Sequence, residues 1–181
     1  MRDARWQLRA VEAVAALLVA AGEVWAQEAQ PASRRIVVSI PDRKLALLED
    51  GRVVKIYPVA VGADATPSPA GSFTVIERVK DPTWYHPGKV VPAGKNNPLG
   101  PRWIGLSRKG YGIHGTSSPR SIGHRASHGC IRMRNEDVKE LFPQVAVGEA
   151  VDLYAERNAE VIRIFGAPAE PALVAQMAVG Q

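Results

Sequence analysis

Ser127-His128-Gly129-Cys130, followed by Ile131 and Arg132, sets the only cysteine of the 181-residue chain beside an imidazole, and a second His-Gly pair, His114-Gly115, lies upstream. A lone thiol among histidines points to a nucleophile. A free thiol with a pKa of roughly 8.5 is only partly ionised at neutral pH, whereas one paired with imidazole or held in positive potential reacts readily. Gly129, having no side chain, lets a substrate carbonyl approach main-chain donors next to the sulfur. Two other readings of the same residues are a buried cysteine acting as a small apolar group and a metal site built from His114, His128 and Cys130. The polar flanks disfavour the first, and the spacing matches none of the common zinc patterns.

The charge pattern supports an anionic substrate. From Pro82 to Asn135 there is no Asp or Glu, while nine Lys and Arg residues occur, among them Arg120, Arg125 and Arg132. Such a field favours thiolate over thiol and attracts anionic substrates. It also leaves no local carboxylate to orient a histidine, so a Cys-His pair held by main-chain acceptors is the simpler expectation. Nucleic acid is not the expected partner, because no aromatic residues are interleaved in the stacking pattern.

The first 26 residues bear on the compartment. Arg2, Arg5 and Arg9, the apolar run from Ala13 to Ala21 and the small-residue site Val24-Trp25-Ala26 have the form of a secretory signal, with an uncleaved anchor as the other reading. The expected location is therefore the periplasm or cell wall, where an unpaired cysteine is unusual. The sequence is read as a signal peptide (1–26), a linker (27–34), one catalytic domain (35–155) and a C-terminal tail (156–181) without clear pattern.

Short β-branched runs bounded by turn residues predict a mainly β domain. Strands are expected at 35–40, 44–48 and 52–61, the last two joined as a hairpin through Glu49-Asp50-Gly51, and again at 72–79. Residues 66–71 form a turn, and 82–101, with Trp84 and Tyr85, form a long loop suited to a lid. Strands resume at 103–106 and 111–114. Ile131 and Met133 alternate with Arg132 and Arg134 as on a half-buried strand. Asn135 is expected to cap a helix carrying Val138, Leu141 and Phe142 until Pro143 ends it, and 150–154 closes the sheet. His86 and His124 are expected to be exposed loop residues.

Taken together, Thr66-Pro67, Gly71, Phe73, Asn97-Pro98-Leu99-Gly100-Pro101, Ile113-His114-Gly115-Thr116, Ser121-Ile122-Gly123 and Ser127-His128-Gly129-Cys130-Ile131-Arg132-Met133 resemble the L,D-transpeptidase catalytic domain, also called YkuD-like, from about Ile36 to Tyr154. The resemblance implies a mixed β-sheet sandwich with a capping helix, working without cofactor or metal on peptidoglycan stem peptides. It makes Cys130 the nucleophile and His114 its base. His128, with the N–H groups of Gly129 and Cys130, belongs to the oxyanion site, and Ser127, Gly115, Thr116, Arg132 and Trp84 lie in the substrate region. Because Gly115 follows the first histidine, a contact orienting that ring must come from a backbone carbonyl. The implied reaction forms a thioester from a tetrapeptide stem with loss of D-alanine, then transfers the acyl group to an amine of a second stem or of a wall-anchored lipoprotein. Alternatives are an L,D-carboxypeptidase or amidase that hydrolyses the same thioester, and a non-catalytic peptidoglycan-binding module. A monomer is expected.

Overall fold

The computed structural model describes residues 33–166. The signal-like segment, most of the linker and the end of the tail lie outside them.

Among the described residues there are twelve strands: β1 (Arg34–Ser39), β2 (Lys44–Glu49), β3 (Arg52–Pro58), β4 (Val61–Gly62), β5 (Gly71–Lys80), β6 (Trp84–His86), β7 (Lys89–Val91), β8 (Arg102–Leu106), β9 (Gly112–His114), β10 (Arg125–Ser127), β11 (Ile131–Arg132) and β12 (Ala150–Tyr154). Eight of them form one curled sheet in the order β11-β9-β8-β5-β12-β1-β2-β3, and the pairs β10-β4 and β6-β7 form two small sheets. The main sheet is mixed, since β1 runs parallel to β12 and β11 parallel to β9.

The composition of the strands explains how the sheet is covered. β1 and β2 read as nearly continuous apolar runs because both of their faces are buried. Ile36, Val38, Leu45 and Leu47 enter the main core together with Ile104, Ile113, Ile131 and Met133. Val37, Ala46 and Leu48 point the other way, into a second cluster closed by Ile164, Tyr154 and Phe165. Helix α1 (Asn135–Leu141) seals the main core through Val138 and Leu141. Helix α2 (Ala159–Phe165) covers the second cluster, so the segment read as a patternless tail begins with a helix. Its start is fixed by Asn158, whose side chain accepts a hydrogen bond from the Val161 N–H at 2.9 Å.

Three further expectations change. The 52–61 strand is broken after Pro58: Ala60 bridges to Arg132, and the chain resumes as β4 against β10. The long loop 82–101 contains the β6-β7 hairpin. Buried Asn97 ties off the base of that hairpin, its Nδ2 donating to the carbonyls of Pro82 (2.7 Å), Val91 (3.1 Å) and Pro92 (3.1 Å) while its Oδ1 accepts from the Leu99 N–H (2.8 Å). Asn135 is the first residue of α1 and not its cap; Arg134 takes the cap position without a side-chain hydrogen bond. The expected hairpin does form at Asp50-Gly51, where both residues have positive φ (50° and 75°), as a tight two-residue turn requires.

Candidate active site

The sheet itself sets three of the candidate residues on one face. In the parallel pair β9-β11, Ile113 lies beside Ile131 and His114 beside Arg132. Both isoleucines point into the main core, so by strand alternation His114, Arg132 and Cys130, just ahead of β11, share the opposite face. The row continues from His114 to Trp103 on β8 and to Val79 on β5. Trp103 stacks on the His114 ring with centroids 5.7 Å apart. Gly112 makes room for that indole, since a Cβ there would sit 2.6 Å from Trp103 Cη2.

The turn carrying the nucleophile candidate is held by Ser127. Its buried hydroxyl donates to the Cys130 carbonyl at 2.6 Å and accepts from the Gly129 N–H at 3.1 Å. Ser127 is thus a strut of this loop. Gly129 has φ +109°, and a Cβ there would stand 2.6 Å from Tyr111 Cε1. Both the backbone conformation and the space exclude a side chain. Gly129→Ala is accordingly expected to displace the Cys130 turn and lower acylation about 100-fold, since a shift of about 1 Å at a reacting atom has that order of effect. Rapid-quench measurement of acylation alongside thermal melting would check it.

His114 is buried, and its Nδ1 lies 2.6 Å from the Gly115 carbonyl oxygen. A carbonyl can only accept, so Nδ1 carries the proton and Nε2 is left as the acceptor. Burial pushes the ring down to about pKa 4, with the positive Arg132 acting in the same direction and the Gly115 and Leu99 carbonyls opposing. At neutral pH the imidazole is therefore uncharged. Cys130 is half-buried, and its Sγ lies 3.5 Å from the Gly110 carbonyl. Burial raises its pKa, opposed by a backbone contact from Gly112 and by Arg132.

This corrects the expectation of a preformed thiolate. Desolvation outweighs the basic stretch: three of its cations are engaged elsewhere, Arg102 with Asp81, Arg125 with Asp64 and Arg108 over Tyr111, and Arg132 is the cation that acts on the sulfur. Only Arg132 acts on both Cys130 and His114.

Cys130 opens into a cavity of about 720 Å³ whose walls include Glu77, Asp81, Trp84, Leu99 and Trp103. Trp84 of the hairpin reaches this cavity, and stacks on His86 at 5.3 Å. His86 and His124 are exposed, as is His128, which makes no side-chain hydrogen bond among the described residues. Thr116 is buried and lines the loop after His114, away from the cavity wall. Among the described residues no group of three His, Cys, Asp or Glu side chains converges on a point.

Glu77 was not legible as a site residue. It comes from β5, far from Cys130 in sequence, and reaches the cavity only because β5 pairs with β8. Its Oε1 accepts from Trp103 Nε1 at 2.7 Å.

The family model of the L,D-transpeptidase catalytic domain (YkuD) matches residues 33–153. The chain is 43% identical over 119 residues to a putative L,D-transpeptidase YkuD of Bacillus licheniformis, covering 66% of this chain and 64% of the relative. It is 36% identical over 137 residues to the probable L,D-transpeptidase YbiS of Escherichia coli, covering 67% and 44%. The chain thus spans less than two thirds of the length of these relatives. Among solved structures, the catalytic domain of the Enterococcus faecium L,D-transpeptidase superposes with a TM-score of 0.56 at 27% identity, covering 69% of this chain and 99% of that one. Fold and sequence agree, and the chain belongs to the L,D-transpeptidase catalytic domain family.

Proposed function

We propose that the protein is a cysteine L,D-transpeptidase of the bacterial cell wall, acting after export on peptidoglycan stem peptides. The observation that carries this reading is that the chain's single thiol opens into a roomy cavity and shares a sheet face with a neutral, Nδ1-protonated histidine. In the first half-reaction Cys130 Sγ attacks the carbonyl of the third stem residue while His114 Nε2 takes the thiol proton. The C–N bond then breaks, and that proton leaves with the amine of D-alanine. The Cys130 N–H, which makes no hydrogen bond among the described residues, is the free main-chain donor beside the developing oxyanion. The Gly129 N–H is shared with Ser127 Oγ and has to reorient to join it.

In the second half-reaction an amine attacks the thioester, restoring the thiol and forming an amide without ATP. Glu77 favours an amine acceptor over water. With Oε1 held by Trp103, its Oε2 takes no hydrogen bond among the described residues and is available to an ammonium group entering the Cys130 cavity. Glu77→Gln is expected to raise the acceptor KM about ten-fold, the size of one charge-assisted hydrogen bond, with D-alanine release from the donor unchanged. Steady-state kinetics with separate donor and acceptor would show it.

The overall reading is tested by incubating the protein with disaccharide-tetrapeptide and weighing the products. Cross-linked dimer with free D-alanine is the expected result. Tripeptide with D-alanine would make the enzyme a carboxypeptidase, and unchanged substrate would leave a wall-binding or release role.

A further inference from the structure

The start of helix α1 is uncapped although a good capping residue stands next to the cap position. Arg134 occupies that position with no side-chain hydrogen bond, and Asn135 follows it. The Asn135 side chain is turned elsewhere: its Oδ1 accepts from the Thr116 N–H at 2.8 Å. That N–H belongs to the same peptide unit as the Gly115 carbonyl, which accepts from His114 Nδ1 at 2.6 Å. A continuous chain therefore runs from the Asn135 oxygen through the 115–116 peptide to the imidazole.

Space has been cleared for it. A Cβ on Gly115 would fall 2.4 Å from Asn135 Oδ1, and one on Gly100 2.5 Å from the same atom. Gly100 also has φ +62°. Two glycines from two loops thus meet around one amide oxygen. Hydrogen bonds in series polarise one another: an acceptor on the peptide N–H makes the carbonyl at its other end more negative and a better partner for an imidazole proton.

We infer that Asn135 is a positioning residue for His114, acting through the 115–116 peptide in the role that a side-chain carboxamide or carboxylate plays by direct contact in other cysteine and serine enzymes. The peptide fixes the tautomer and ring orientation, and Asn135 fixes the peptide. The inference rests on the reading of His114 as the base.

Asn135→Ala removes the acceptor, and Asn135→Asp keeps it. The alanine variant is expected to lose about ten-fold in the kcat of donor acylation with donor KM unchanged, and the aspartate variant to regain most of it. In proton NMR the His114 Nδ1–H resonance should move upfield in Asn135→Ala. The inference is overturned if the folded alanine variant keeps its kcat and its ring-proton resonance, or if its loss of activity follows only the folded fraction seen by melting. If the alanine variant does not fold, Asn135→Ser, too short to reach Thr116, gives the same readings. His114→Gln is the control that separates the two ideas. If it leaves activity intact, the base reading fails; if it abolishes activity while Asn135→Ala does not, only the relay fails.

Discussion

Replacing Cys130 with serine is expected to lower turnover at least about 10³-fold with the fold intact, because removing a nucleophile that acts as a unit with its base removes nearly the whole contribution of the pair. The substitution is small and sits in a turn held by Ser127 contacts to the backbone of Gly129 and Cys130, neither of which involves the sulfur. The chemical change is large. A neutral imidazole driven down to about pKa 4 and oriented by a carbonyl is a weak base. It can take a thiol proton as the carbon–sulfur bond forms, but an alcohol, far less acidic, asks more of it than this site supplies. D-alanine release from disaccharide-tetrapeptide, followed alongside melting, measures the effect.

His114→Gln is expected to cost between about 10² and 10⁴ in kcat/KM, the usual contribution of a general base. The pH dependence identifies the cause. In the wild type the imidazole is the working form, so kcat/KM rises as pH increases through about 4, where the buried ring loses its proton. It then stays level through neutrality, because burial holds the Cys130 thiol above the ordinary thiol range. The glutamine variant loses the acid limb and gains activity only on the alkaline side, where the thiol ionises unaided. A wild-type limb centred near the ordinary histidine value would contradict the buried, uncharged ring.

Much of the site was legible in sequence because its residues sit in short contiguous motifs. The alternation of Ile131 and Met133 with Arg132 correctly set one face toward the core, and the Asp50-Gly51 turn correctly joined β2 and β3 as a hairpin. Burial was not legible. The run of cations around Cys130 suggested a thiolate, yet where those charges are directed depends on partners such as Asp64 and Asp81 from other segments of the chain. Glu77 and Trp103 entered the site through strand pairing, which local spacing does not encode. Asn135 was read by its helix-capping propensity. The space left by Gly100 and Gly115 diverts it, and that space exists only after two distant loops meet. Helix α2 was hidden because its two buried anchors, Val161 and Ile164, give too short a stripe to stand out from the Ala- and Pro-rich sequence around it.

The most direct measurement is the intact mass of the protein quenched in acid seconds after mixing with disaccharide-tetrapeptide at neutral pH, followed by peptide mapping. The proposed mechanism predicts an adduct equal to the donor less D-alanine, carried by the peptide containing Cys130, lost on treatment with hydroxylamine and absent in Cys130→Ser. D-alanine released at the full rate with no adduct in the wild type, or with undiminished rate in Cys130→Ser, would contradict covalent catalysis by this thiol.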